Sequence, residues 1–171
     1  MDAAALKATQ APLKAGYSAD PDTALVTLRA DGSLDGSGIT CSVRTAGALA
    51  EAGLHPAAGG DGTQLCSGDM LLEALVACAG VTLRAVATSL GIEASGTVRA
   101  EGDLDFRGTL GVDKQAPVGF RDVRLFFDLD TDAAPEKVDT LVRLTERYCV
   151  VLQTLKSAPA TSVEASTGGA A

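Results

Sequence analysis

The chain has 171 residues with 14 basic and 22 acidic side chains, a formal charge of −8 at neutral pH. That length fits one domain with short tails, large enough to bury a core without disulfide staples. The acidic balance argues against nucleic acid and against an anionic membrane as partners. Four cysteines are too sparse for a secreted disulfide framework, and the opening Met1-Asp2-Ala3-Ala4-Ala5-Leu6-Lys7 lacks a basic stretch followed by an apolar run. A reducing, cytoplasmic setting is therefore expected.

Residues 1–22, rich in Ala and Lys with weak periodicity, read as a loose N-terminal arm. Ala24 to Ala30 has strand character and is followed by the turn signal Asp31-Gly32. Ile39, Cys41 and Val43 alternate with polar residues, so a half-buried strand with Cys41 inward is expected. Ala46 to Gly62 is Ala- and Gly-rich and reads as a loop. It holds the single histidine, His55, read as exposed or as a loop contact. Its Gly59-Gly60-Asp61-Gly62 lacks the Lys-Ser/Thr that a phosphate-binding loop needs. Cys66 falls in the loop end and has no evident role.

Ser67 is the expected cap of a long apolar helix ending at Gly91, with Asp69 in its first turn, where the helix dipole favours an acid. Met70 to Leu90 is long enough to span a bilayer, but Glu73 and Arg84 on one side favour a buried helix of a soluble protein. At 100° per residue, Asp69, Glu73, Gly80, Arg84 and Thr88 share a narrow polar stripe, and Cys78 lies opposite with Leu71, Ala74, Leu75, Thr82 and Ala85. The stripe is too narrow for one small sheet to cover the remainder, so a second copy of the chain is expected against this helix.

Beyond the helix, Val98 to Phe106 alternates as a strand, a polar loop passes through Asp113, Lys114 and Pro117, and Val123 to Leu129 alternates as its partner. Asp132 to Pro135 opens a second helix, with Pro135 near its first position. Its apolar stripe is Val138, Leu141, Val142, Thr145, Cys149 and Leu152. Asp128, Asp130 and Asp132 lack the glycine and glutamate of a calcium loop and read as a solvated strand end and helix start. A short last strand is expected at Thr161 to Glu164, and 166–171 reads as a disordered tail. The order of elements gives an α+β fold, mostly antiparallel sheet packed on helices.

Cys78 and Cys149 thus lie on two helix faces turned to one core. A buried cysteine is usually a small hydrophobe; two facing the same core are also a candidate thiol pair. The thiolate is the nucleophile, and burial opposes it unless a cation or a helix N-terminus compensates. Cys78, in mid-helix, gains little from its own helix dipole, so an arginine from elsewhere (Arg29, Arg44 or Arg147) is the expected source of charge. No Cys/His spacing reads as a zinc site.

The stretch Ser67-Gly68-Asp69-Met70-Leu71-Leu72-Glu73-Ala74-Leu75-Val76-Ala77-Cys78 resembles the central helix motif of the OsmC/Ohr family of osmotically inducible and organic hydroperoxide resistance proteins. Glu101 to Asp105, Gly119 to Val123 and Glu146-Arg147-Tyr148-Cys149 resemble its later blocks in the right order. The resemblance implies a single OsmC-like domain over 23–165, an α+β fold with the long helix buried at its centre, and an intertwined homodimer with two sites at the seam. It implies no bound cofactor, an organic hydroperoxide as substrate and an external dithiol as reductant. In the peroxidase branch, the cysteine matching Cys78 attacks the peroxide and the one matching Cys149 resolves it. An arginine, best matched by Arg29 and next by Arg44, stabilises the thiolate, and a carboxylate holds the arginine. The family's glutamate lies ten residues before the cysteine; Gly68 stands there in this chain, with Asp69 beside it. The competing reading is a non-catalytic member of the same fold that binds a small apolar ligand or a protein partner.

Overall fold

A computed structural model describes residues 2–20, 32–33, 40–44 and 49–166. The expected strand at Ala24 to Ala30, including Arg29, and the tail at 167–171 lie outside the described residues. The segment expected as an arm is instead helix α1, Ala3–Ala19. Asp2 caps it by accepting the Ala5 N–H at 2.8 Å, and its run of Ala, Leu, Lys and Gln has high intrinsic helix propensity. Its weak periodicity hid a helix that packs along one neighbour, α2, rather than over a core.

Four strands form one sheet: β1 (Gly32–Ser33), β2 (Thr40–Arg44), β3 (Leu49–Gly53) and β4 (Leu65–Cys66). The pairs β1–β2 and β2–β3 are antiparallel, and β3–β4 is parallel. The stretch expected as a loop, Ala46 to Gly62, therefore contributes β3 and a 3-10 turn over Pro56–Ala58. Small Ala and Gly residues have poor strand propensity, and it is the ladders with β2 and β4 that make Leu49–Gly53 extended.

Helix α2 runs Ser67–Leu90. Cys66 is its N-cap and Ser67 its first residue, so the helix starts one position earlier than the expected Ser67 cap implies. Gly91 ends it as expected, in the left-handed conformation (φ 64°) with its N–H turned back to Ala87 and Thr88; only glycine takes that conformation without steric cost. Leu75, Ala79, Leu83 and Ala87, spaced by four, are its buried line. Gly80, expected on the polar stripe, faces β5 instead: a Cβ there would lie 3.8 Å from Val98. Long and apolar enough to cross a membrane, α2 nonetheless packs along α1, β5, α4 and α5 of its own chain.

Strands β5 (Ser95–Asp103) and β6 (Asp122–Asp130) form an antiparallel ribbon, with Val98 opposite Phe127 and Ala100 opposite Leu125. Val98, Ala100, Val123, Leu125 and Phe127 pack on the α2 core. The alternation expected to reach Phe106 stops at Asp103, and Phe106 opens the short helix α3 (Phe106–Thr109). On the outer face, Arg124 pairs with Glu101, Asp103 and Asp122, and Arg99 lies 3.9 Å over the Phe126 ring. Helix α4 (Pro135–Tyr148) begins with Pro135 and buries Leu141 and Thr145. Helix α5 (Val150–Lys156) follows after a break at Cys149. The expected strand at Thr161 to Glu164 does not form: those residues are exposed and without regular structure. The result is an α+β fold, a long central helix packed against antiparallel strands.

Candidate functional site

The structure brings Cys78 and Cys149 together. Cys78 stands half-buried in the middle of α2. Cys149 is fully buried, and the two, with Leu75, Ala79, Val151 and Leu152, belong to one apolar cluster. Cys149 does not continue the helical stripe as the sequence implied. It sits at the joint where α4 ends and α5 begins, with extended backbone (φ −72°, ψ 106°). Its N–H still bonds Thr145 O at 2.9 Å, and its carbonyl receives Gln153 N–H at 2.9 Å. Both helices therefore run into this one residue, and the kink turns the first turn of α5 toward α2. Across the joint, Gln153 Nε2 donates to Glu146 O at 2.7 Å.

The kink supplies what mid-helix position denied to Cys78. Burial pushes its thiol pKa up, but the N–H groups of Val151 and Val150, the Cys149 thiol and the Thr82 hydroxyl all face the sulfur, and together they hold it below its ordinary value. Amide hydrogens at the start of a helix favour an anion. Cys149 goes the other way. Burial dominates, and the neighbouring Cys78 thiolate adds to it, outweighing the Leu152 and Val151 N–H groups, so its thiol is held above the ordinary value. One sulfur is prepared to ionise and the other to keep its proton. Both are free thiols, as is Cys66.

Arg29 lies outside the described residues. Arg44 ends β2. Arg147, in the last turn of α4, is exposed, its guanidinium 5.8 Å from the Tyr148 ring. Asp69 is not beside Cys78: nine residues of one continuous helix place it about 13.5 Å along the axis and on the opposite face. It lines a separate cleft of about 340 Å³ with His55, Cys66, Gly68, Leu104 and Phe120. Gly68 forms the floor there, where a Cβ would touch Cys66, Leu104 and Phe120 at 3.5 Å. His55 stacks on Phe106 at 5.0 Å and accepts the Ala57 N–H at Nδ1, which makes it a loop contact. Beneath it, a hydrogen bond from Arg107 holds the Asp105 carboxyl down at about 2. A larger open hollow of about 880 Å³ lies at the far end of α2, between Arg84, Glu93, Asp130 and Lys137. Neither cavity is lined by Cys78 or Cys149.

Sequence reasoning missed the donors from Val150 and Val151, since the break at Cys149 is invisible to a helical periodicity that continues through it. Thr82 was legible only as a neighbour of Cys78 on the wheel.

A long core helix carrying one thiol, covered by an antiparallel ribbon and met by a second thiol at a helix joint, defines an α+β protein built around a cysteine pair. The family model for OsmC-like proteins matches residues 60–164, well over half the chain. The chain belongs to the OsmC-like family. Its fold is similar to that of an OsmC-like protein from Mycoplasma pneumoniae, with a TM-score of 0.64 at 14% identity over 78% of this chain and 89% of that one. It is also similar to an OsmC-like protein of unknown function from Vibrio cholerae, with a TM-score of 0.60 at 11% identity over 76% and 94%. The organic hydroperoxide resistance protein OhrB of Bacillus subtilis gives a TM-score of 0.50 at 16% identity over 77% and 93%. Identities this low carry the fold alone. No curated protein sequence matches the chain.

Proposed function

We propose that this chain is a thiol-dependent peroxidase that reduces organic hydroperoxides through Cys78 and Cys149, in defence against oxidative stress. The observation that carries the reading is the meeting of two free thiols in one apolar cluster, Cys78 in the middle of α2 and buried Cys149 at the α4–α5 joint; the lowered pKa of Cys78 and the raised one of Cys149 agree with it. The Cys78 thiolate attacks one oxygen of the O–O bond. That bond breaks, the alkoxide leaves and takes a proton to become the alcohol, and the sulfur becomes a sulfenic acid. The Cys149 sulfur then attacks the Cys78 sulfur, an S–S bond forms and water departs. An external dithiol reduces the disulfide and is itself oxidised. Condensation with a neighbouring thiol protects a sulfenic acid from irreversible oxidation. The apolar surroundings of the pair, Leu75, Val98, Leu125 and Leu152 among them, suit an alkyl or lipid hydroperoxide better than hydrogen peroxide.

Arg29 is the cation assigned to the thiolate in this reading, with Arg44 next. Asp69, on the far face of α2, has no part in it within one chain. The protein acts as a cytoplasmic homodimer: Leu71 and Val81, at 38% and 72% exposed, leave an apolar face on α2 for a second copy. The deciding experiment is consumption of cumene hydroperoxide with dithiothreitol by wild type and by Cys78→Ser. A rate in wild type that Cys78→Ser abolishes supports the reading; equal rates sink it. The cleft around Gly68 supports a second reading, in which the protein holds a small ligand without reacting. Cys78 and Cys149 left unreacted by peroxide would favour it.

A further inference from the structure

Thr82 stands one turn after Cys78, and its hydroxyl has a choice. It donates to the Cys78 carbonyl at 2.7 Å, and, four residues on along the same helix face, its side chain leans back toward that of Cys78 and is among the groups that lower the thiol's pKa. A threonine hydroxyl carries one proton and two lone pairs, so it can serve only one of these acceptors as a donor at a time. We propose that Thr82 is a positioning residue of the thiol site: its hydroxyl proton rests on the Cys78 carbonyl while the sulfur is protonated, and turns to the sulfur when the thiolate forms.

The proposal rests on the thiol pair being the reactive site, and it deepens that reading by naming a donor beyond the backbone. A hydroxyl bonded back to the carbonyl four residues earlier is common in helices. Thr88, Ser89, Thr145 and Thr154 all make that bond in this chain. None of those four faces a sulfur prepared to ionise. When the Cys78 sulfur becomes negative, it is the stronger acceptor of the two. A rotation about one side-chain bond then exchanges a neutral hydrogen bond for a charge-assisted one. The helix carbonyl keeps its main-chain partner throughout, so the exchange leaves no backbone group unpaired.

The surroundings fix what else can act on the same titration. Cys149 is the titratable group facing Cys78 from the α4–α5 joint. The ribbon turns Val98, Ala100, Val123 and Leu125 inward and keeps Arg99, Glu101 and Arg124 in outer-face pairs. On α4 and α5, Arg143 and Arg147 are exposed, and Glu146 pairs with Lys156. Lys7 and Lys14 of α1 are exposed. The hydroxyl is thus an uncharged donor in an apolar setting, where removing it is felt by the sulfur directly.

The test is the pH profile of Cys78 alkylation by iodoacetamide, followed by peptide mass mapping on the full chain. Thr82→Val keeps the shape and deletes the hydroxyl. It should move the midpoint upward and slow the reaction at neutral pH. Thr82→Ser should restore the wild-type profile, and Thr88→Val, which removes a back-bond that faces no sulfur, should leave it unmoved. Thr82→Ala, which also deletes the hydroxyl, should give the same upward shift. A Thr82→Val or Thr82→Ala profile that superimposes on wild type, or a shift equally produced by Thr88→Val, overturns the proposal. Because the readout is alkylation rather than peroxide turnover, it stands or falls separately from the peroxidase reading.

Discussion

Cys149, fully buried where α4 breaks into α5, places its thiol beside the sulfur of Cys78 in the middle of α2. The relationship is asymmetric. The break aims the first N–H groups of α5 at Cys78, while burial and the facing sulfur keep Cys149 protonated.

The asymmetry predicts which thiol reacts first. Cys78, with its pKa lowered, should be alkylated at a pH below the ordinary thiol midpoint, and Cys149, with its pKa raised, only above it. Between those two midpoints, label should collect on Cys78 alone. Differential iodoacetamide labelling across pH 6 to 10, read by mass mapping, checks the order; Cys149 reacting first would reverse the assignment of roles.

Oxidation should join the pair. Mild peroxide is expected to give a Cys78–Cys149 disulfide, for which the two Cα atoms must lie within about 7 Å. Cys149→Ser should leave Cys78 as a sulfenic acid that proceeds to the sulfinic and sulfonic forms. Peptide mapping decides this, and a link from Cys78 to Cys41 or Cys66 would count against the two-cysteine path.

The open face of α2 predicts self-association. Light scattering at micromolar concentration should give roughly twice the chain mass of 17.2 kDa. Val81→Asp should weaken the dimer by at least about 100-fold, since it loses a buried valine worth about 1.5–3 kcal/mol and strands a charge. A monomeric wild type would remove the basis for a seam at this face.

Leu75 is fully buried beside the thiols. Leu75→Ala should cost about 2–5 kcal/mol of stability, seen as a lower denaturant midpoint. Loosening there should also raise the accessibility of Cys149 to alkylation.

Gly96 has φ +124°, and a Cβ on it would be driven into the Asp128 carbonyl of the paired strand. Gly96→Ala should therefore cost about 1–3 kcal/mol or more through backbone strain. Gly119, with nothing near its Cβ position, is the control. Thermal unfolding of the two alanine variants should separate them.

Much of the frame was legible in the chain itself because it is written in local periodicity. The α2 apolar run and its glycine stop, the alternation of Val98, Ala100, Val123 and Leu125, and Pro135 opening α4 each follow from patterns a few residues long. The inward placement of Cys149 was legible for the same reason. Local pattern failed where partners decide. Ala-rich α1 lacks a core-facing stripe, Leu49–Gly53 is extended by its ladders to β2 and β4, and Thr161 to Glu164 has strand residues but no ladder among the described residues. That Asp69 lies opposite Cys78 was legible on the helical wheel; tertiary structure alone decided that it lines another cleft. It also decided that a break at Cys149 turns donors onto the Cys78 sulfur. A helix break and the direction of an N–H depend on how α4 and α5 pack on α2, and no pattern within either segment encodes that.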